Sequence, residues 1–286
     1  FIYQLNIMSK TNDKEQNKGL NRNSIDKFYT KDEIVKICMN SIKQNIEINK
    51  NDLIIEPSAG NGSFIPYIKK IVDHYKFYDI DPDNDEISKH DYLKLDLSEL
   101  KNENIGIHVI GNPPFGRQSS TAIKFIKKSC EYCNTISFIL PKSFKKDSMK
   151  RYFDLHFQMI HEFDLPEKAF LVDNKEYDVP CIFQIWKKMD KKRKIEKKLI
   201  PLKFKFVEKG DNPDISFRRV GVNASNTSKD YKSKSEQSHY FIKFNNNKNI
   251  DDNIGIIQKI QFDFNNTVGP RSISKQELIK ELDKLL

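Results

Sequence analysis

Asn112-Pro113-Pro114-Phe115 holds more chemistry in four residues than any other stretch of this sequence. It follows an apolar run, Ile107-His108-Val109-Ile110, that reads as a strand ending at Gly111. Two prolines cannot continue a parallel strand, and their rings fix the backbone. Pro113 and Pro114 have no N–H, so their carbonyls are fixed acceptors, and the Asn112 side chain adds an amide oxygen. Phe115 supplies a flat apolar face. Two acceptors beside an aromatic plane match a planar group bearing an NH₂. Hydrogen bonds from that NH₂ to Asn112 and to the Pro113 carbonyl would pull its lone pair out of ring conjugation. The nitrogen then becomes a nucleophile without needing a strong base.

Other informative residues follow other strand-like runs. Asp52-Leu53-Ile54-Ile55-Glu56 stops at Pro57 and is followed by Ser58-Ala59-Gly60-Asn61-Gly62. Gly60 and Gly62 let backbone approach a ligand closely, and the same turn also reads as an ordinary tight turn. It is not the G-x-G-x-x-G of dinucleotide enzymes, because Ile65 stands where a small residue is needed. The run Lys76 to Ile80 carries Asp79, placed to accept hydrogen bonds from ribose hydroxyls, while Asp81 before Pro82 reads as a helix N-cap. Asp91-Tyr92 could receive an adenine amino group and cover its ring, or form a surface turn.

The elements that must position these residues alternate. A capping box, Thr30 with Glu33, opens a helix with Ile34, Ile37, Cys38 and Ile42 at helical spacing. Phe64 to Ile71 and Ser120 to Glu131 read as helices, the first with Pro66 in its opening turn and the second with Ile123, Ile126 and Cys130 on one face. Thr135 to Leu140 and Pro180 to Trp186 read as strands, and Met149 to Phe157 as a helix. Strands alternating with helices predict an α/β fold, a doubly wound, mostly parallel sheet with ligands at the strand ends.

The chain has 286 residues, 49 Lys+Arg against 40 Asp+Glu, and a net charge of +9, which allows an anionic partner. No apolar run approaches the roughly 20 residues of a transmembrane helix. Four cysteines are too few and too scattered for a disulfide scaffold, which points to a reducing, intracellular, cytoplasmic setting. Cys130 and Cys133 form a C-x-x-C with no second pair or His partner at finger spacing, so no metal is expected there. Phe1 to Ile7 read as an extension ahead of Met8, and residues 1–26 as a flexible polar tail. Lys187 to Lys198, in which eight of twelve residues are Lys or Arg, reads as a connection leaving a core domain. Beyond it, Phe217-Arg218-Arg219 puts a basic pair on a strand-like run, and Ser238-His239-Tyr240-Phe241 adds aromatics. Asn223 to Gln237 reads as a loop, and Thr267 to Arg271 as an ordered loop before a second capping box, Ser274 with Glu277. The last helix would bury Leu278, Leu282 and Leu285.

These motifs together resemble the S-adenosylmethionine-dependent amino-methyltransferases, most closely the N6-adenine family, over about residues 28–188. Phe28-Tyr29-Thr30 resembles the family's N-terminal F-Y-T motif at the methionine end of the cofactor. Glu56, Pro57, Ala59, Gly60 and Gly62 resemble its first, glycine-bearing motif. Asp79, with Ile80 beside it, is similar to the acidic ribose ligand, and Asp91, with Tyr92 beside it, to the adenine-binding residue. Asn112, Pro113, Pro114 and Phe115 match the catalytic N-P-P-F/Y signature. The order, with F-Y-T first, is similar to the gamma arrangement, in which target recognition follows the catalytic domain. Phe170 resembles a second aromatic that packs on the target base.

The resemblance implies a catalytic domain over residues 27–190, on a Rossmann-like methyltransferase sheet. Residues 191–286 then form a small C-terminal α+β extension that guides nucleic acid through Arg218 and Arg219. It implies S-adenosylmethionine as cofactor and methyl transfer to the N6 amine of adenine in DNA, with the base flipped or single-stranded. RNA adenine-N6 or guanine-N2 methylation, an inactive nucleic-acid-binding module and protein-amide methylation are the alternatives. Only about 90 residues follow Lys198, less than restriction-type enzymes usually devote to reading a DNA site.

Overall fold

Leu53–Glu56 and Ile107–Gly111 are short runs with little polar side-chain surface, and the chain buries both completely at the centre of one sheet. The computed structural model describes residues 28–102, 105–195, 197–262 and 271–286. In chain order, β1 is Tyr29–Thr30, α1 Asp32–Asn45, β2 Leu53–Glu56, α2 Ile65–Ile68, β3 His74–Asp79 and β4 Ser88–Lys89. Next come β5 Ile107–Gly111, α3 Ser120–Cys130, β6 Thr135–Pro141, α4 Asp147–Lys150 and β7 Phe157–Asp164. A hairpin of β8 Phe170–Val172 and β9 Lys175–Tyr177 then leads to β10 Cys181–Lys188.

The seven-stranded sheet has the order β4-β3-β2-β5-β6-β10-β7. β2 pairs in parallel with β3 and β5, β3 with β4, and β5 with β6. β10 alone runs antiparallel, wedged between β6 and β7. This is the doubly wound α/β sheet the alternating pattern predicts, with one reversed strand near the edge. Successive side chains of a strand face opposite sides, and the two cores obey this period. Ile54, Ile110, Ile139 and Phe183 join the core under α1 and α2. Ile55, Val109, Phe138, Leu140 and Trp186 join the core under α3.

Several local expectations are corrected. Thr30 does not cap α1. It lies in β1 opposite Phe170, and Lys31 takes the N-cap position without a side-chain cap bond. A long-range strand pairing has displaced a local motif. α1 buries Ile34, Val35, Cys38, Met39 and Ile42, while Ile37 is left exposed. The helix after Pro57 is only Ile65–Ile68, with Pro66 in its first turn, and it breaks before β3 begins at His74. α3 buries Ala122, Phe125, Ile126 and Ser129 rather than Ile123 and Cys130. The Met149 to Phe157 helix reduces to the single turn α4, and Phe157 starts β7.

After β10 the chain builds a second sheet, order β11-β14-β12-β13, from β11 Phe204–Val207, β12 Ile215–Arg218, β13 Thr227–Ser228 and β14 His239–Phe244. Part of the expected 223–237 loop is therefore strand. α5 (Ile250–Gln258) and α6 (Lys275–Leu285) complete this region around Phe204, Ile215, Phe217 and Ile242. α6 opens with the expected Ser274–Glu277 capping box. It buries Leu278, Ile279 and Leu282, whereas Leu285 is exposed and Leu286, four residues beyond Leu282, is buried. Residues 1–27 and 263–270, where the N-terminal tail and most of the Thr267–Arg271 loop were expected, lie outside the described residues. Among the described residues no helix is long and apolar enough to cross a membrane.

The basic connection is anchored, not merely solvated. Arg193 sits over the Trp186 ring at 5.4 Å. Its Nη1 donates to the carbonyls of Asp154 (2.5 Å) and Phe157 (2.7 Å), and its Nη2 to those of Lys150 (2.9 Å) and Phe153 (2.8 Å). One planar guanidinium thus satisfies four carbonyls in the turns between α4 and β7, a geometry a lysine ammonium cannot match. Arg193→Ala is expected to lower the unfolding free energy by about 2–3 kcal/mol, seen as a lower urea midpoint at unchanged slope. Arg193→Lys should recover less than half of the loss.

Candidate active site

β2, β3 and β5 all end at the same edge of the sheet, and the loops that leave them surround a cleft of ≈ 300 Å³. The Asn112 to Phe115 loop borders it, with Pro57, Gly60, Asp79, Ile80 and Asp91 from the neighbouring strand ends. Phe28 and Tyr29 close one side and Phe170 joins them from the β8–β9 hairpin.

The loop after β2 shows why its glycines are there. Gly60 has φ +55°, and its N–H donates to Asp79 Oδ2 at 2.8 Å. The Tyr29 ring packs against it, 3.3 Å from where a Cβ would stand. Gly62 has φ +83°, and a Cβ there would lie 2.8 Å from Ile65 Cδ1. The second oxygen of Asp79, Oδ1, accepts from the N–H of Asp81 at 2.9 Å. Two backbone donors therefore hold the Asp79 carboxylate at the cleft wall, with lone pairs left for hydroxyl donors. Tyr29 also hydrogen-bonds Asp83, which ties β1 to the loop beyond β3.

Asn112 is held from behind. Its Nδ2 donates to the Phe28 carbonyl and to Thr30 Oγ1, each at 3.3 Å, and its own carbonyl accepts from Ser58 Oγ at 3.1 Å. Its Oδ1 is buried with no hydrogen-bond partner among the described residues. A buried acceptor left unpaired costs about 1–3 kcal/mol. Gly111, at φ +149°, lets the chain turn into the prolines, where a Cβ would press on Glu56 Cγ at 3.2 Å. Phe28 packs edge-on against Phe170 at 6.3 Å and against Tyr177 at 5.4 Å, an aromatic wall beside the Asn112 amide.

The expected site residues divide. Phe28, Tyr29, Pro57, Gly60, Asp79 and Ile80 line the cleft, as do Asp91, Tyr92, the whole Asn112 to Phe115 loop and Phe170. Thr30, Glu56, Ala59 and Gly62 support it from behind and do not line it. Asp91 caps the turn after β4, with Oδ1 accepting from Leu93 N at 3.1 Å, and it also lines the cleft. Tyr92 lines the cleft and is also a core residue. It is 1% exposed, stacks on Phe125 at 5.2 Å, and its hydroxyl is taken by Ser129 and Tyr132. Ser58, Thr121, Phe125 and Val179 also border the cleft or brace it, and no motif singles them out. Arg218 and Arg219 lie outside it. Burial pushes the thiol of Cys130 up to about 12 and that of Cys133 up as well. Among the described residues no cluster of His, Cys, Asp or Glu could hold a metal ion.

The cleft fits S-adenosylmethionine. Asp79 stands at the wall as a hydroxyl acceptor, Ile80 is 59% exposed as an apolar face at the mouth, and the Gly60 backbone leaves room for close approach.

Glu56 adds an electrostatic constraint. It is 2% exposed, and Oε2 has no hydrogen-bond partner among the described residues. Burial first, and the nearby Asp79 charge second, hold its carboxyl well above the ordinary 4.5. The folded protein therefore binds this proton more tightly than the unfolded chain does. The stabilisation is complete below about pH 4.5 and is lost as pH rises toward the folded value. Glu56→Gln keeps the shape without the titration. Without cofactor, wild-type stability should fall relative to Glu56→Gln above about pH 5, by up to ~1.4 kcal/mol per pH unit. A pH-independent difference between the two urea midpoints would contradict a proton held at Glu56.

Comparison with known proteins agrees with this architecture. The EDM2 methyltransferase-like domain family matches residues 47–198, which run from the end of α1 past β10 and contain most of the cleft. No curated protein matches the chain. Solved structures with a similar fold include a protein from Pyrococcus horikoshii assigned as an RNA methyltransferase, 16% identical, covering 60% of this chain and 93% of its own with a TM-score of 0.42. A dimethyladenosine transferase from Plasmodium falciparum is 12% identical and covers 57% of this chain and 64% of its own, with a TM-score of 0.41. A protein from Streptococcus mutans assigned as a methyltransferase, in complex with SAH, is 15% identical and covers 54% of this chain and 96% of its own, with a TM-score of 0.36. The fold is that of the Rossmann-like methyltransferases, and its cofactor is S-adenosylmethionine. With more than half of its length matched, the chain belongs to the family of EDM2 methyltransferase-like domains.

Proposed function

We propose that this protein methylates the exocyclic N6 amine of adenine in a nucleic acid. The observation that carries the reading is the buried Oδ1 of Asn112, unpartnered among the described residues, on a residue that lines the cleft together with Pro113, Phe115 and Phe170. An aromatic amine supplies the donor that this oxygen lacks and a flat face for Phe115 and Phe170. S-adenosylmethionine supplies an activated methyl group, so the protein's work is placement and polarisation.

Phe28 and Thr30 hold the Asn112 amide by Nδ2, which keeps Oδ1 turned to the incoming amine. The Pro113 carbonyl accepts the second N–H; among the described residues it has no hydrogen-bond partner. Both acceptors stabilise the positive charge that grows on nitrogen as the N–C bond forms, the counterpart of an oxyanion hole. The amine sheds a proton only after that, so no strong base is required. A base stacked in a duplex cannot enter such a cleft, so the target is flipped or unpaired. The residues 27–190 form the catalytic domain in this reading and residues 191–286 guide the strand. DNA is the polymer that the motif order favours, and RNA adenine or guanine-N2 is the second substrate class to test.

Asn112→Ala should lower kcat by about 10²–10³ while S-adenosylmethionine affinity stays within a few-fold. Tritiated methyl transfer onto matched DNA and RNA oligomers, with nucleoside identification, reads both points. Undiminished transfer by Asn112→Ala, or label on protein alone, would overturn the proposal.

A further inference from the structure

The second sheet carries a cleft of its own, of ≈ 200 Å³. Its walls come from three strands and the two connections between them. Ser216 and Arg218 stand on β12, Thr227 and Ser228 on β13, and His239 at the start of β14. Asn223 and Asn226 come from the first connection and Lys234 from the second. The strand register fixes the relation of these groups, with Arg218 opposite His239 and Ser216 opposite Ser228. The first connection is clamped onto β12 by two backbone bonds, Arg218 N to Asn226 O and Ser225 N to Arg218 O, both 2.8 Å.

The lining is rich in donors, and no carboxylate is part of it. Arg218 uses Nε on the Val220 carbonyl at 3.1 Å, which leaves its two terminal nitrogens as donors. Lys234 reaches Asp230 at 3.7 Å, a loose pair, because Asp230 accepts from the backbone N–H and the hydroxyl of Ser233. His239 engages Nδ1 with Ser235 and Ser238 and keeps Nε2. Thr227 Oγ1 is buried and has no hydrogen-bond partner among the described residues. Two fixed cations, a hydroxyl without a partner and two side-chain amides on a rigid frame suit a tetrahedral oxyanion, for which an arginine fork is the preferred clamp.

We propose that this cleft holds a phosphate group of the nucleic-acid strand whose base enters the active site, an assignment that rests on the function proposed above. Arg218 and Lys234 neutralise the charge, and Thr227 supplies the neutral hydrogen bond. Such a contact positions the strand and carries no sequence information. Partial burial and the charges of Arg218 and Lys234 hold the His239 pKa below its ordinary value. A dianionic or diester phosphate between these groups relieves that repulsion. Arg219 is not part of the clamp. It donates to the Gln237 carbonyl at 2.7 Å and covers Tyr240 at 5.5 Å.

The test uses the whole protein and reads binding, not methylation. A fluorescein-labelled single-stranded 15-mer is titrated by anisotropy from low to moderate salt, against wild type, Arg218→Gln/Lys234→Gln and Thr227→Val. S-adenosylmethionine affinity and circular dichroism should match wild type in each variant. The double variant should bind at least tenfold more weakly at low salt, with the slope of log K against log salt reduced by about 0.7 for each cation removed. Thr227→Val should bind a few-fold more weakly at unchanged slope. Unchanged affinity and slope in the double variant would overturn the assignment. A wild-type thermal midpoint raised by inorganic phosphate, but with oligomer affinity insensitive to all three substitutions, would also overturn it, in favour of a free phosphate compound. If methyl transfer fails while these binding differences stand, the catalytic reading fails and the phosphate site remains.

Discussion

The amide of Asn112 is the constraint on which the rest of the site depends. An asparagine can offer an acceptor to a ligand in a fixed direction only if its NH₂ is held elsewhere. Here the Phe28 carbonyl and Thr30 Oγ1 hold it, 84 and 82 residues away in sequence. The cleft loop at the end of β5 is therefore completed by a segment that comes before the first helix. That segment has no place in the seven-stranded sheet. It is held by its own small sheet, in which Thr30 pairs with Phe170 and Tyr29 with Leu171. Lys31 N donates to the Ala169 carbonyl at 3.2 Å, and Lys31 Nζ pairs with Glu176 at 2.9 Å. The aromatic contacts of Phe28 with Phe170 and Tyr177 fill the space between them. The β8–β9 hairpin thus both walls the cleft and braces the residues that orient Asn112.

The same arrangement explains where sequence reasoning succeeded and where it failed. The sheet was legible because its strands are short apolar runs with clear stops, and the stops at Pro57 and Gly111 sit where loops that line the cleft begin. The strand-end residues followed, since carboxylates, glycines and prolines at such positions have few structural reasons to be there. Thr30 misled because Thr-x-x-Glu is a local signal, while β1–β8 pairing joins residues 140 apart. The 149–157 region misled in the same way. Its apolar residues have helical spacing, but the Arg193 guanidinium collects the carbonyls of Lys150, Phe153, Asp154 and Phe157, and those bonds fix turns instead. Tyr92 shows a third limit. Its position beside Asp91 was right, but the direction of its ring was decided by Phe125, Ser129 and Tyr132 on α3 and the turn after it. The cleft on the second sheet was invisible as a site, because its donors come from five separate segments whose proximity only strand register creates.

The charge distribution around the cleft has its own logic. Glu56 and Asp79 end adjacent parallel strands, and two carboxylates so close cannot both ionise cheaply. The sheet separates their roles by environment. Glu56 is enclosed by Gly111 and the surrounding core and receives no hydrogen bond at Oε2 from the described residues, and burial first and the Asp79 charge second hold its carboxyl well above the ordinary range. Asp79 receives the backbone N–H groups of Gly60 and Asp81 at the cleft wall. Gly111 links the two features: the residue that lets the chain turn into the prolines also packs over the Glu56 side chain, 3.2 Å from its Cγ to where a Cβ would stand, and so adds to the burial that raises that carboxyl.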